Sequence, residues 1–356
     1  MNDSMTYLDW AATALPDADI AQEVARIAVE YPGNPSSRHG PGKRAAVLLA
    51  ECRERCAAVL DVEPQRVVFT SGATEANNLI VLAELHRRSR GHLVTSDREH
   101  SSLQRPTEQL RRFGFDGTRV SSSAEGVVSA NAIIDAIRDD TVFVATTLVE
   151  SESGSVLDVP SVSSRIRTLN ERRKRAIHHH CDCVQALGKI PLSLAELDVD
   201  TASFSAHKIG GPRGAGLLYC RRAIDPIVVG GGQEQDIRPG TENLPAIYGM
   251  TLALERYAPS VDIDHGVVLC RAALDAVSAT EEGEIRPSAR RDGPSDGSYG
   301  GFSPYIVQAA FPPVPGEVLA RVLSDRGIAV STGSACAANL THAEPSASEH
   351  AVRLSF

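Results

Sequence analysis

Lysine is scarce in this sequence: only four of the 36 basic residues in the 356-residue chain are lysines, and the remainder are arginines. A mechanism that requires a lysine amine therefore has four candidates, Lys43, Lys174, Lys189 and Lys208. The net charge is -9, and the basic residues are scattered along the chain. That distribution argues against a protein that binds nucleic acid directly by neutralising its phosphates.

Long apolar runs and secretion signals are also absent from the sequence. No segment approaches the ~20 apolar residues needed to span a bilayer, so no membrane association is predicted. The N-terminus lacks the basic and apolar regions of a signal peptide. The seven cysteines are odd in number and widely spread, and neither CRERC (52–56) nor CDC (181–183) has the paired spacing of a zinc site. We predict a cytoplasmic protein with reduced thiols and no bound metal.

Short β-branched segments alternate with helical segments through the middle of the chain. The pattern predicts strands at residues 66–70, 92–95, 141–147, 176–181, 201–205 and 214–220. It predicts helices near residues 71–90, 102–113, 130–138 and 161–173. Repeated strand–helix units indicate an α/β fold with a mostly parallel sheet that is covered on both faces.

The last third of the chain has a different composition, which indicates a second domain. A polar, glycine-rich segment at 228–243 precedes a predicted helix at 244–257. A strand near 305–311 and a helix near 315–326 would follow in that domain. Between them the polar segment 287–301 is rich in glycine and proline, and we predict a loop there.

Local context favours Lys208 among the four lysines. Lys43 and Lys174 stand in polar surroundings typical of surface charges, and Lys189 is expected to be structural. Lys208 follows a buried-looking strand and stands beside Ser205 and His207, with glycines close behind. In open α/β sheets ligands bind at the carboxyl ends of strands, and a shielded lysine there can form a Schiff base. The alternative is a loop lysine beside an ordinary turn.

Three further features are compatible with a flat, phosphorylated cofactor. Asp182 ends a predicted strand, where its carboxylate could pair with a protonated pyridine nitrogen and make pyridoxal 5'-phosphate (PLP) an electron sink. Thr74 lies in SGATE (71–75) at a helix amino end, which favours a phosphate group. His100 could stack on a ring. An ordinary capped helix and a surface histidine remain the alternatives for the last two.

The order of these features along the chain resembles that of the cysteine desulfurases, which are fold type I, PLP-dependent enzymes of the class V aminotransferase family. The resemblance spans nearly the whole sequence. It is carried by YLDWAAT (7–13), GNPSSRHGPG (33–42), TSGATEANN (70–78), HCDCVQALGK (180–189), SFSAHKIGGPRGAGLLY (203–219), GGGQEQDIRPGTEN (230–243), STGSACAAN (331–339) and VRLSF (352–356).

The resemblance implies a specific fold. A fold type I PLP-dependent transferase has a mostly parallel seven-stranded sheet between helices, together with a smaller α+β domain. On this chain the large PLP-binding domain would span residues 15–245. The small domain would combine residues 1–14 with residues 246–356 and would carry the segment around Cys336.

The resemblance also implies how the cofactor would be held. Lys208 would form the Schiff base with PLP and move the Cα proton of the substrate. Asp182 would pair with the pyridine nitrogen, Gln185 would contact the ring oxygen, and His100 would stack on the ring and take part in proton transfer. The phosphate would be bound by Ala73, Thr74, Ser205, His207 and, from the neighbouring subunit of a homodimer, Thr241.

The same resemblance assigns substrate and sulfur chemistry to three residues. Asn34 and Arg353 would hold L-cysteine, with Arg353 clamping its carboxylate. The thiolate of Cys336 would attack the substrate sulfur, which would leave a persulfide on Cys336 and release alanine. Small residues surround Cys336 in GSACAA, as suits a thiol that must be presented. The alternative is a buried structural cysteine.

Two departures from the family pattern stand out. Ser151 occupies the position where the family commonly has an asparagine near the cofactor ring, and its hydroxyl has a shorter reach. Only 16 residues separate Cys336 from Arg353, fewer than in relatives with the same motif, and relatives continue beyond the position of Phe356. We therefore expect Cys336 to rest away from the cofactor until a partner or substrate brings it in.

Several functions remain open at the level of the sequence. The leading hypothesis is an L-cysteine desulfurase that passes persulfide sulfur to an acceptor protein. That acceptor could serve Fe–S cluster assembly, tRNA thiolation, DNA phosphorothioation or natural-product thiolation. The alternatives are a selenocysteine lyase or another β-eliminating PLP enzyme, and a degenerate PLP-fold scaffold within a sulfur-transfer complex.

Overall fold

The computed structural model describes residues 5–86, 90–259, 261–292, 301–332 and 350–356. Its strands are β1 (Thr6–Tyr7), β2 (Val67–Thr70), β3 (His92–Ser96), β4 (Asp116–Val120), β5 (Thr141–Thr147), β6 (His178–Asp182), β7 (Thr201–Ser205), β8 (Gly216–Cys220), β9 (Glu284–Arg286), β10 (Ile306–Ala310), β11 (Ile328–Ala329) and β12 (Ala351–Ser355). Its helices are α1 (Ala18–Glu30), α2 (Gly40–Val59), α3 (Ala73–Ala83), α4 (Ser101–Arg111), α5 (Ala130–Asp135), α6 (Val159–Asn170), α7 (Leu194–Leu197), α8 (Leu244–Tyr257), α9 (Ile263–Ser278) and α10 (Gly316–Asp325).

The central sheet has seven strands in the order β2-β8-β7-β6-β5-β3-β4. The pairs from β7 through β4 are parallel, and β8 pairs antiparallel with both of its neighbours, so only β8 runs against the others. Apolar residues from the sheet and the helices around it form the main core clusters. This is the mostly parallel α/β sheet of fold type I, as predicted.

The sheet brings several strand ends to one edge. Strands β2, β5, β6 and β7 end there, and antiparallel β8 begins there. Because the carboxyl ends of parallel strands share an edge, the residues that follow each strand are brought together. The described chain therefore places Ser71, Asp182 and Lys208 at one end of the sheet.

Two smaller sheets involve the last part of the chain. Strand β10 pairs antiparallel with β9 and β12, which sets Gln308 opposite Arg353, and β1 pairs parallel with β11. The backbone N–H of Ser355 donates to the carbonyl oxygen of Leu8 at 2.8 Å, so the N-terminal segment lies beside β12. The predicted division into residues 15–245 and residues 1–14 with 246–356 stays a prediction.

Several elements differ from the sequence-based expectation. Helix α8 has the predicted bounds, whereas β4 and α9 were not predicted. Strand β4 lies at the edge of the sheet and is largely exposed, so DGTRV lacks the apolar alternation that marks a half-buried strand. In the predicted loop, residues 288–292 form a 3-10 turn. No helix within the described residues is long and apolar enough to cross a bilayer.

Candidate active site

A cavity of about 460 Å³ opens at the carboxyl edge of the central sheet. It is lined by segments that lie far apart in sequence: the loop before α3, the start of α4, the ends of β5 and β6, the turn after β7, and β12. Ten of the predicted site residues contribute to its wall, namely Ala73, Thr74, His100, Ser151, Asp182, Gln185, Ser205, His207, Lys208 and Arg353.

One end of the cavity is built from bare backbone at the start of α3. Gly72 caps this helix with a φ of 154°, and no side chain of the described residues caps its first N–H groups. A side chain at Gly216 would lie 2.4 Å from the Cα of Gly72, so the two backbones approach closely. Uncapped amide groups at a helix amino end attract an anion. The hydroxyl of Ser205 and the imidazole of His207 line the same cavity.

His207 is held as a neutral group. Burial, reinforced by the positive charges of Lys208 and Arg213, lowers the pKa of His207 to about 4. Its Nδ1 lies 3.1 Å from the hydroxyl of Thr13. A neutral imidazole offers one N–H donor and one acceptor, so His207 can contact a phosphate oxygen without adding charge.

The amine of Lys208 is anchored to the N-terminal segment. Its Nζ donates to the carbonyl oxygens of Ala11 at 2.5 Å and Ala12 at 2.8 Å. The side chain of Gln185 donates to the same Ala11 oxygen at 2.8 Å. Residues 11–12 therefore fix the position of the lysine and of the glutamine together at the floor of the cavity.

Lys189 lies directly behind Gln185 and is more important to the site than the sequence indicated. It is buried, and its Nζ donates to Oε1 of Gln185 at 2.5 Å. Burial, followed by the positive charges of Lys208 and Arg353, lowers the pKa of Lys189 to about 7. The sequence LGKIPL gives no sign of this arrangement, because the pattern of apolar residues does not predict whether a lysine amine is buried.

The buried amine of Lys189 should make stability depend on pH. Between the folded pKa of about 7 and the ordinary value of 10.5, the unfolded chain binds one more proton at this site than the folded chain does. The free energy of unfolding of the wild type should therefore rise with pH through this window. Lys189→Met should remove this pH-dependent contribution. The measurement is the free energy of urea unfolding, without added PLP, at about pH 7 and about pH 9.5.

The exposed Lys174 supplies the matched control for this prediction. Lys174→Met should change unfolding stability by the same small amount at both pH values. If the free energies of unfolding of wild type and Lys189→Met differed by the same amount at both pH values, Lys189 would not be a buried amine with a lowered pKa.

Asp182 is the buried carboxylate of the cavity. One oxygen accepts from the side-chain amide of Asn77 at 2.9 Å, and the other accepts from the backbone N–H of Val184 at 3.0 Å. These two donors fix the orientation of the carboxylate. The strand end thus presents an acceptor-only group to the cavity.

His100 is held in one tautomer. Its Nδ1 accepts from the backbone N–H of Ser102 at 3.1 Å and lies 2.7 Å from the Ser102 hydroxyl. Burial lowers the pKa of His100. The negative charge of Asp182 acts in the opposite direction, and the positive charge of Lys208 acts in the same direction as burial. A neutral ring whose Nδ1 accepts must carry its proton on Nε2.

Arg353 is buried in the cavity wall and only partly satisfied. Its Nη2 pairs with Asp9 at 2.9 Å, and its Nη1 donates to the backbone oxygen of Ser151 at 3.0 Å. Its Nε is buried without a hydrogen-bond partner among the described residues. A buried guanidinium with a spare donor suits a carboxylate ligand.

Two of the predicted site residues that the structure describes stand apart from the cavity wall. Asn34 and Thr241 are exposed, and the amide of Asn34 lies 3.4 Å from the hydroxyl of Thr241. Thr241 lines a small neighbouring pocket that shares Ser71 and Gly214 with the cavity. Cys336 lies outside the described residues, as does the expectation that its thiol rests away from the cofactor.

The cavity also contains residues that the sequence did not single out. Arg98, Arg213 and Thr13 line its wall, and Asn77 supports it from behind. Arg213 stands inside the quoted GGPRGAG segment, so the glycines around it were the available signal. Together with Lys208 and Arg353, the two further arginines give the cavity a cationic wall that suits an anionic ligand.

Comparison with known proteins identifies the family. The family model for class-V aminotransferases matches residues 6–356. The chain belongs to the class-V aminotransferase family. The cysteine desulfurase IscS of Vibrio campbellii is 34% identical over 341 residues, covering 93% of this chain and 80% of that protein. Like these relatives, this class-V protein is an enzyme of the cysteine desulfurase type.

Solved structures of the same family resemble the whole class-V chain. A NifS-like protein superposes with a TM-score of 0.86 at 31% identity, covering 99% of this chain and 93% of that one. SspA in complex with cysteine gives a TM-score of 0.80 at 26% identity, covering 99% and 98% of the two chains. Both similarities extend over the sheet that builds the cavity.

The residues present fit the PLP on which this class-V family depends. The uncapped amino end of α3 and the bare backbone at Gly72 leave room for a phosphate. Asp182 offers a carboxylate and Lys208 offers an amine within the same cavity. The guanidinium of Arg353 lines the same cavity and adds positive charge for an anionic substrate.

Proposed function

We propose that this enzyme binds PLP on Lys208, converts L-cysteine to L-alanine, and leaves the sulfur as a persulfide on Cys336. The observation that carries the proposal is the convergence of Lys208, Asp182 and the uncapped start of α3 on one cavity. The reaction balances as one thiol plus cysteine giving one persulfide plus alanine. The carbon–sulfur bond of the substrate breaks, a sulfur–sulfur bond forms, and a proton replaces sulfur on the substrate carbon.

Each part of the cofactor would have its own contacts. Asp182 would pair with the pyridine nitrogen, His100 would stack on the ring, and Gln185 and Ser151 would contact the ring oxygen. The phosphate would be held by Ala73, Thr74, Ser205, His207 and, across a homodimer, Thr241. When bound, PLP supplies an electron sink that labilises bonds at the substrate's α carbon and, through it, the Cβ–S bond.

The residues of the chain would orient the substrate and move its protons. Arg353, held by Asp9, would bind the substrate carboxylate, with Asn34 completing the substrate contacts. The amine of Lys208 would take the proton from the α carbon and return a proton later. The Nε2–H of neutral His100 would be the second proton donor of the cavity.

The shape of the cavity supports Ser151 as a weaker substitute for the asparagine found in relatives. Ser151 lines the wall, but its backbone oxygen is engaged by Arg353 at 3.0 Å. Its short hydroxyl can meet the ring oxygen only if the ring lies close to residues 149–151. Gln185, held by both Ala11 and Lys189, would then provide the firmer contact.

A homodimer, a sulfur-acceptor protein and a cytoplasmic location complete the proposal. The exposed pair of Asn34 and Thr241 lies beside the cavity and not in its wall, which supports a role across a subunit interface. In the described residues, six cysteines form no disulfide, as a reducing compartment would allow. The pathway served by the acceptor stays open among those considered from the sequence.

The proposed function is tested by the products formed from L-cysteine. Purified protein loaded with PLP should release alanine in step with cysteine consumed, and added reductant should convert the bound sulfur to sulfide. Alanine is measured by chromatography and sulfide by colorimetry. Pyruvate and ammonia in place of alanine would indicate a β-eliminating lyase and contradict the proposal.

A further inference from the structure

A buried chain of polar side chains leads away from the cavity into the central sheet. The amide nitrogen of Asn77 donates to Asp182 at 2.9 Å, and Nε2 of His180 lies 2.9 Å from the amide oxygen of Asn77. The hydroxyl of Thr201 lies 2.8 Å from Nδ1 of His180 and 2.9 Å from Nε2 of His178. Asn77 and His180 have no exposed surface.

The direction of every hydrogen bond in this chain follows from chemistry. An ionised carboxylate only accepts, so the NH2 group of Asn77 must face Asp182 and its oxygen must face His180. An amide oxygen also only accepts, so Nε2 of His180 carries the proton. Burial lowers the pKa of His180 well below its ordinary value, which leaves Nδ1 of the neutral ring as an acceptor for Thr201. His178 then donates to Thr201, and all the donors point toward Asp182.

Asn77 also serves the opposite side of the cavity. Its second amide hydrogen is directed to the hydroxyl of Ser102 at 2.8 Å. That hydroxyl accepts from Asn77 and so gives its own proton to Nδ1 of His100, 2.7 Å away. A single buried amide is therefore connected to both Asp182 and His100, the two groups assigned to the cofactor ring.

We propose that Asn77 is a positioning residue that aims the carboxylate of Asp182 at the pyridine nitrogen, with His180, Thr201 and His178 fixing the amide in place. The inference rests on the proposed function, because it requires PLP in the cavity. A hydrogen bond from the amide fixes the direction of the carboxylate, and such a bond is strong where water is excluded. Without the amide, the Asp182 carboxylate, which is 5% exposed, would keep the backbone N–H of Val184 as its donor among the described residues.

The test compares two cofactors in the same variants. Dissociation constants are measured by fluorescence for PLP and for an analogue that carries a C–H group in place of the pyridine nitrogen. Wild type should prefer PLP. Asn77→Ala should reduce that preference about tenfold, the loss expected when one hydrogen bond to a charged group is weakened, while affinity for the analogue changes little. Among the described residues, the side chain of Asn78 on the same helix donates to a backbone oxygen, and Asn78→Ala should keep the wild-type preference.

The isosteric variant Asn77→Asp guards against a folding defect. It keeps the shape of the side chain but replaces the donating NH2 group with an acceptor oxygen, so that the carboxylate of Asp182 loses this donor. It should lose the preference for PLP as Asn77→Ala does. Equal weakening of both cofactors in both variants, or an unchanged preference, would overturn the inference. If wild type bound neither cofactor, the proposed function itself would fail, and this inference with it.

Discussion

Replacing Lys208 with alanine should reduce the rate of alanine formation from L-cysteine by about 10³-fold or more. The variant loses both the amine that holds the cofactor and the base that moves the α-carbon proton, and proton transfer by a positioned group is alone worth about 10²–10⁴-fold. Borohydride treatment followed by intact-protein mass measurement should show PLP fixed to wild type and none fixed to Lys208→Ala.

Lys43 provides the matched control, because it is an exposed lysine that does not line the cavity. Lys43→Ala should retain the cofactor and the activity of wild type. Covalent PLP in Lys208→Ala would show that another lysine carries the cofactor. Lys189 would then be the first candidate, because its buried amine lies behind Gln185 and has a lowered pKa.

Replacing Cys336 with serine should reduce alanine formation by about 10²-fold or more while leaving PLP binding unchanged. A hydroxyl is a far weaker nucleophile toward sulfur than a thiolate, so the substrate's sulfur has no acceptor in the variant. The measurement is alanine release under single-turnover conditions, with the visible spectrum of the bound cofactor recorded in parallel.

Cys270 is the control for this second prediction. It is partly exposed, and its sulfur contacts Arg290, away from the cavity. Cys270→Ser should release alanine as wild type does. Full alanine release by Cys336→Ser would favour a selenocysteine lyase, and cysteine consumption that yields pyruvate would favour another β-eliminating enzyme. If the wild type bound no PLP and consumed no cysteine, the result would instead favour a degenerate PLP-fold scaffold of a sulfur-transfer complex.

The sequence predicted the parts of the site that lie in short segments at strand ends. Lys208, Asp182 and the SGATE segment each follow or end a predicted strand, and parallel strands bring their carboxyl ends to one edge. The lysine count helped as well, because it reduced the search to four residues. The resemblance then supplied roles that position alone leaves open.

The supporting layer of the site was not predicted, because its partners come from separate elements. Asn77 stands on α3, His180 on β6 and Thr201 on β7, and each looks like an ordinary polar residue in its own segment. Hydrogen-bond direction can be assigned only when the atoms are seen together. The burial of the Lys189 amine was not predicted for a related reason, since it depends on the packing of the turn after β6.

The most direct test of persulfide formation on Cys336 follows sulfur from the substrate to the protein. PLP-loaded wild type is mixed with L-cysteine carrying a heavy sulfur isotope, alkylated, digested and analysed by mass spectrometry. We expect one labelled sulfur on the peptide that contains Cys336, in an amount equal to the alanine released. Cysteine consumption with label on no cysteine of the chain, or with label on a cysteine other than Cys336, would contradict it.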